Sequence, residues 1–375
     1  MNHRFLQLHL LTAYGPANLN RDDLGQPKSA TVGTVPRLRI SSQCLKRTWR
    51  NSDLFQQALD GHLGTRTKHI GPMAEKEMLK NGLDAKLAFE WSKLIAQAFG
   101  KLKGAESNEI ETLVFMSNEE QQAVLKLART LAERKSAPTE AELKLLRKDN
   151  ATADLALFGR MLTADKSRRT ETSDRPGYNV DAAAQVAHAF TVHRAVPEDD
   201  YFSAVDDLSS AEETGSGHLG ELGFGAGVFY LYACVDRQLL LDNLGGDREL
   251  ADRTLRAFSE CMASVAPTGK QNAFASRARA SFGLAELGND APRQLSAAFL
   301  RPVSDSNDSD VLSASVKRLV DLVEKFDLVY GHEGQRMHFN CSSANADRLD
   351  TGVTVDRSKP VLQQWTAFAA SGLQE

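Results

Sequence analysis

Arg37-Leu38-Arg39-Ile40-Ser41-Ser42-Gln43-Cys44-Leu45-Lys46-Arg47-Thr48-Trp49-Arg50 contains a change of period that decides the local fold. Leu38 and Ile40 alternate with Arg37 and Arg39, the period-2 pattern of a half-buried strand. Ser41 and Ser42 then occupy the place of a helix N-cap, where a hydroxyl oxygen accepts a first-turn backbone N–H. In the helix that should follow, Gln43, Lys46 and Arg50 share one face, and Leu45 and Trp49 form an apolar stripe on another. From Lys28 to Arg50 there are six Lys or Arg (Lys28, Arg37, Arg39, Lys46, Arg47, Arg50) and no Asp or Glu. Free first-turn N–H groups favour an anion; Lys adds a point charge and Arg a planar fork. The junction therefore predicts a site for a phosphate chain.

This cationic island stands on a mildly acidic body. Over 375 residues, 45 Lys and Arg against 49 Asp and Glu give a formal net charge of -4. Apolar content of 42% and charged content of 25% are those of a soluble globular protein long enough for two domains, or one domain with a large insertion. No apolar run reaches the roughly 18 residues of a membrane span. In Met1 to Leu11, Gln7 and His9 interrupt the apolar run, so Leu6, Leu8 and Leu10 read as a first strand rather than a signal peptide. Cys44, Cys234, Cys261 and Cys341 lie far apart with no C-x-x-C, which fits a reducing cytoplasm and argues against structural zinc. His188 and His193 lack the spacing of a helical metal pair. No metal and no cofactor are expected.

Residues 1–50 read as strand, a loop rich in turn residues, strand and Ser-capped helix. From about 52 to 158 the pattern is helical, with capping boxes at Ser117-Asn-Glu-Glu120 and Thr139-Glu-Ala-Glu142. Leu83, Leu87, Trp91, Leu94, Ile95 and Ala98 recur at helical spacing and read as core. Residues 161–180 read as a charged loop, and Asp181 to Val192 as a helix. From Ala195 to Gly220 there are seven acids and no Lys or Arg, with Tyr201 and Phe202 among them. Gly227 to Val235 has strand composition, and Ser304 to Ser315 reads as a surface loop. The order is compatible with an α+β, split βαβ core carrying a helical insertion.

Asn20-Arg21-Asp22-Asp23, Lys28 and Arg39-Ile40-Ser41-Ser42-Gln43-x-Leu45-Lys46-Arg47 together resemble CasC, the guide-RNA-binding backbone subunit of the type I-E CRISPR Cascade complex. Gly159-Arg160-Met161, His188-Ala-Phe-Thr-Val-His193, Tyr201-Phe-Ser-Ala-Val-Asp-Asp-Leu208 and Gly217-His-Leu-Gly220 follow in that family's order. So do Gly227-Val-Phe-Tyr230, Asn243-Leu-Gly-Gly246 and Gly269-Lys-Gln271. The matched blocks run from about residue 3 to 271.

The resemblance implies an RRM-like (ferredoxin-like) palm with inserted helical fingers and a protruding thumb. These map to 1–51, 177–195 and 223–375 for the palm, 52–176 for the fingers and 196–222 for the thumb. It implies a non-catalytic subunit that oligomerises along guide RNA and presents it to invading DNA. Its partners would be guide RNA, neighbouring copies of itself, other Cascade subunits and target DNA through the guide, with no membrane. Lys28, Ser41, Ser42, Gln43, Lys46 and Arg50 would grip the guide backbone, contacts that position RNA without reading its sequence. Met161 and Phe202, with Tyr201 adjacent, would hold a displaced base, since unpaired bases stack on aromatic rings.

Two departures stand out. Tyr201-Phe202-Ser203 replaces the family's Trp-Phe-Thr, and the loop after Met161 is longer and more basic (Lys166, Arg168, Arg169). The basic palm island and the acidic thumb, with Asp206 and Asp207, predict head-to-tail stacking, because heterologous contacts that do not close give filaments. Two alternatives remain open from the residues alone. One is a metal-dependent ribonuclease of the type III backbone kind using Asp22 and Asp23, whose adjacent carboxylates could hold a hard cation. The other is a monomeric RNA-binding protein, although the usual RRM aromatic signature is absent.

Overall fold

The computed structural model describes residues 3–147, 152–162, 175–204, 218–305, 309–349, 356 and 358–373. The chain opens with strands β1 (Phe5–Ala17), β2 (Ser29–Val32) and β3 (Val35–Ile40), then helices α1 (Ser42–Arg50) and α2 (Asp53–Ala58). Next come β4 (Thr65–Thr67), α3 (Ile70–Lys80), α4 (Ala85–Phe99), β5 (Val114–Met116), α5 (Asn118–Arg134) and α6 (Ala153–Phe158). Strands β6 (Ala184–Val186), β7 (Ala189–Thr191), β8 (Glu198–Ala204) and β9 (His218–Asp236) precede α7 (Arg237–Asn243), α8 (Arg248–Ser264) and α9 (Gln271–Phe274). The chain closes with β10 (Ala280–Gly288), α10 (Val311–Tyr330), β11 (Gln335–Asn340) and α11 (Val361–Ala370). Its residues group into two compact units. The first holds Met1–Gln56, Gln185–Asp236 and Leu255–Glu375; the second holds Gln57–Ala184 and Arg237–Thr254.

In the first unit seven strands follow the path β11-β10-β1-β9-β7-β3-β2, and each neighbouring pair is antiparallel. β1 sits between two long partners, with Leu8 opposite Ala285 on β10 and Ala233 on β9. Connections cross strands twice: β1 leads to β2 past β9, β7 and β3, and β9 leads to β10 past β1. This is an α+β arrangement of an antiparallel sheet with helices. Leu11, Phe190, Tyr230, Phe282 and Leu284 from the sheet share one core with Val316, Leu319, Val320 and Val323 of α10.

Every residue of β1 from Leu6 to Thr12 is buried, so Gln7 and His9 are not the solvent-facing positions that alternation suggests. They join a polar network inside the unit. His9 Nε2 lies 3.1 Å from Glu286 Oε2, and its Nδ1 lies 2.9 Å from the Tyr230 hydroxyl. The Glu286 carboxylate only accepts, so Nε2 carries the proton; burial disfavours the imidazolium, so the neutral ring accepts the Tyr230 hydroxyl at Nδ1, and the Tyr230 oxygen also accepts the Leu295 N–H. Glu286 Oε1 accepts from Arg336 and Arg293 at 2.6 and 3.0 Å, and Arg336 forks onto Asp327.

Arg37 is a correction to the cationic island. It is fully buried, and its guanidinium donates to the carbonyls of Val32, Thr191 and Phe299. It straps strand ends together and presents no charge to a ligand. Asp181 to Val192 also differs from expectation, containing β6 and β7 instead of a helix. The alanine-rich run has helical propensity, but β7 fills a slot between β3 and β9, and tertiary pairing overrides propensity.

The second unit is built around α3, α4 and α5, with Met78, Trp91, Ile95, Phe99, Val124 and Leu131 in its core. Leu87, expected in that core, falls at the edge of the α4 stripe and is exposed. The Ser117 capping box forms in full. At Thr139 the side-chain half of the motif forms, with Glu142 accepting the Thr139 N–H and hydroxyl, but it heads a turn rather than a helix. Among the described residues no helix is long and apolar enough to cross a membrane.

Candidate nucleic-acid interface

The start of α1 forms as its residues dictate. Ser41 is the N-cap, in extended conformation, and its Oγ accepts the Cys44 N–H at 3.3 Å. The first turn carries no acid, and Arg47 and Arg50 in the last turn complement the helix dipole. Leu45 and Trp49 are buried, and the Trp49 ring meets Phe258 of α8 edge-on at 5.6 Å. Burying side chains of this size contributes about 1.5–3 kcal/mol each, so the stripe fixes which face the polar residues present. Replacing Ser41 with Ala should cost about 1 kcal/mol, read as a lower denaturation midpoint with an unchanged slope.

The loop before β2 is pinned to this helix start by Asn20. Its side-chain oxygen accepts the Ser41 N–H at 2.9 Å, and its carbonyl accepts the Lys28 N–H at 2.8 Å. The Lys28 carbonyl in turn accepts the Arg39 N–H at 2.7 Å. Buried Asn18 donates to the carbonyls of Gly25 and Gly223, tying the same loop to β9. Lys28 is thus held beside Arg39 and the first turn of α1. Among the described residues Lys28, Arg39 and Arg47 have no carboxylate partner, while Lys46 and Arg50 are half-buried. Burial draws the Lys46 ammonium below its usual value. Gln43 is exposed and takes a 3.4 Å hydrogen bond from the Ser42 hydroxyl.

β9 is longer than the sheet needs. Gly225 to Asp236 pairs with β1, whereas His218 to Phe224 pairs with β8 and forms a two-stranded arm. On β8, successive side chains point to opposite faces, so Tyr201 and Phe202 place an exposed ring on each side of the arm, at 67% and 43% exposure. Phe202 pairs with Gly220, and its ring lies where a Gly220 Cβ would be. Asp206 and Asp207 lie outside the described residues, as do Lys166, Arg168 and Arg169.

Met161, in the second unit, is 82% exposed. Its neighbour Arg160 is buried, paired with Glu120 at 2.8 Å and donating to the carbonyls of Tyr178 and Arg147. A buried strut therefore presents an exposed thioether. Of the remaining candidates, Asp22 uses Oδ1 to accept the Leu24 and Gln26 N–H groups of its own turn, and Asp23 is exposed.

The structure places Lys28, Ser41, Ser42, Gln43, Lys46 and Arg50 in one neighbourhood of the first unit, and Tyr201 and Phe202 on β8; sequence reasoning had grouped them in the same way. It missed Asn18 and Asn20 as the clamps of the loop. It also missed His188, whose Nδ1 lies 2.7 Å from an Arg39 guanidinium nitrogen. The signal available was Asn20 at the head of the Asn-Arg-Asp-Asp motif, and His188 at the head of its own motif.

Solved structures share this fold. A chain of a "CRISPR RNA-guided surveillance complex, pre-nicking" superposes with a TM-score of 0.80 at 28% identity, covering 97% of this chain and 100% of that one. A chain of a second "CRISPR RNA-guided surveillance complex" gives 0.71 at 21% identity, covering 97% and 99%. None of the curated protein sequences matches. The family model of the Cas group described as "CT1975-like protein" matches residues 6–367. Matched over nearly its whole length, the chain belongs to the CT1975-like protein family.

Proposed function

We propose that this protein is a CRISPR RNA-binding backbone subunit of a Cascade-type surveillance complex. It stacks copy upon copy along a guide RNA and presents the guide for base pairing with invading DNA, without itself cutting a strand. The observation that carries this reading is the set of cations uncompensated by any described carboxylate, Lys28 and Arg39 beside the acid-free start of α1 and Arg47 in its last turn. Such a surface binds a phosphate backbone irrespective of sequence, which a subunit accepting any guide requires.

The strand order β10-β1-β9-β7 with its two crossovers supports reading the sheet as an RRM-like palm. The helices of the second unit would be the fingers, and the β8–β9 arm the thumb. Lys28, Ser41, Ser42, Gln43, Lys46 and Arg50 would hold the guide backbone. Met161 of one copy, with Phe202 and Tyr201 of another, would flank an unstacked base. The partners are guide RNA, further copies of this chain, other Cascade subunits and, through the guide, target DNA; the compartment is the cytoplasm.

The test is the ultraviolet absorbance ratio of the purified protein combined with light scattering, before and after ribonuclease. A nucleic-acid-rich oligomer that falls apart on digestion is expected. A monomer that ignores added guide RNA overturns the reading. For RNA binding measured across salt concentrations, Lys28→Ala combined with Lys46→Ala should flatten the log–log slope by about 0.7 per lost phosphate contact. The loss of affinity should be similar for RNAs of different sequence.

A further inference from the structure

Arg39 stands out among the cations of the interface because its partner is an imidazole. Its guanidinium lies 2.7 Å from His188 Nδ1. A guanidinium has donors only, so Nδ1 accepts, and the His188 ring is neutral with its N–H on Nε2. This contact satisfies one Arg39 donor without neutralising any charge. Lys28 lies beside the pair and carries no carboxylate partner among the described residues. His188 leads into β7, whose Ala189 and Phe190 pair with Ile40 and Arg39 of β3, so the contact is fixed by sheet register rather than by a loose loop.

We propose that Arg39 and His188 form a second phosphate subsite beside the start of α1, in which His188 takes up a proton from solvent as the RNA backbone binds. This rests on the RNA-binding reading above. In the free protein burial, then the charges of Arg39 and Lys28, disfavour the imidazolium. Among the described residues these are the charged groups acting on the ring, and no carboxylate counters them. A phosphodiester seated at Arg39 reverses that balance. Protonation converts Nδ1 from acceptor to donor, releases the Arg39 N–H, and leaves guanidinium and imidazolium both facing the same anion. Charge-assisted hydrogen bonds of this kind are about twice as strong as neutral ones.

The experiment titrates the RNA-free protein with single-stranded RNA of mixed sequence at fixed salt, from about pH 8 down to about pH 5.5, across the imidazole range. Wild-type affinity is expected to rise about three- to tenfold more than that of His188→Gln, because raising an imidazole pKa by one pH unit on binding strengthens that binding by up to about tenfold. Gln can still accept from Arg39, so the two proteins should agree at the alkaline end. Calorimetry in two buffers of different ionisation heat should show proton uptake in the wild type and none in His188→Gln. Arg39→Gln should weaken binding at every pH and also abolish the uptake. RNA binding with the same pH slope in wild type and His188→Gln overturns the subsite alone. Absence of any RNA binding by the wild type overturns both this and the proposed function.

Discussion

Glu286→Ala unfolds the first unit more readily than any single change at the surface around α1, lowering the unfolding free energy by about 3–5 kcal/mol, the range for breaking a buried ion pair. Glu286 is 1% exposed and is the acceptor that His9, Arg293 and Arg336 share. Removing it leaves a buried imidazole N–H without an acceptor and Arg336 leaning on Asp327 alone. The affected residues sit on β1, β10 and β11 and on α10, so the loss spreads across the sheet. Glu286→Gln should cost less, because an amide oxygen can still accept from one of the three donors. Equilibrium denaturation followed by circular dichroism gives both values. A Glu286→Ala protein within about 1 kcal/mol of wild type would show that the network contributes packing and little electrostatics.

The same network sets the acid limb of stability. Burial works against charge on Glu286, but the His9 hydrogen bond and the Arg293 and Arg336 charges outweigh it and hold the carboxyl well below its ordinary 4.5. A depressed carboxylate contributes stability that is present above its unfolded value and lost as pH falls toward its folded one. Burial, the largest influence, holds His9 below its ordinary 6.5. The unfolded chain therefore takes up a proton there that the folded chain resists. Both effects have the same sign. Stability should begin to fall below about pH 6.5 and fall further below about pH 4.5, and His9→Asn should remove the first limb only.

Local chemistry was legible in the sequence, and long-range satisfaction was not. Ser41, Leu45 and Trp49 act within one turn or one helix of their neighbours, so spacing alone found the cap, the buried stripe and the face carrying Gln43, Lys46 and Arg50. Arg37 looked like one more cation of that island. What buries it is a set of carbonyls contributed by Thr191 and Phe299, more than 150 residues away in sequence. Gln7 and His9 looked like solvent-facing interruptions of an apolar strand for the same reason. Their partners, Tyr232 and Glu286, are more than 220 residues downstream. The stretch from Asp181 to Val192 misled through propensity: an alanine-rich segment takes strand form when β3 and β9 leave a slot to fill. At the site itself the family-like motifs pointed to charged and aromatic residues. The clamps Asn18 and Asn20 and the Arg39–His188 contact emerge only when the loop, the sheet edge and the arm are brought together.

Arg160→Ala should do to the second unit what the loss of Glu286 does to the first. The Arg160 and Glu120 side chains are 1% and 0% exposed. One guanidinium nitrogen reaches both Glu120 oxygens at 2.9 and 2.8 Å, while the other donates to the carbonyls of Arg147 and Tyr178. Glu120 also closes the Ser117 capping box by accepting the Ser117 N–H, so the truncation strands a buried carboxylate at the start of α5. A cost of about 3–5 kcal/mol follows from leaving one charge of a buried pair uncompensated. Arg160→Lys should recover only part of it, because an ammonium cannot reproduce the planar fork. Glu120→Gln should lie between them, retaining an acceptor for the cap. The Arg160 backbone bridges Val180, and Gly159 before it has φ +79 against the Val180 carbonyl. Met161 is thus set at the surface by a buried neighbour on a constrained turn. If Met161 contacts RNA as proposed, Arg160→Lys should weaken RNA binding more than its loss of stability explains, whereas Met161→Ala should weaken binding and leave the denaturation midpoint unchanged. A Met161→Ala protein with wild-type affinity would remove Met161 from the interface while leaving the structural role of Arg160 intact.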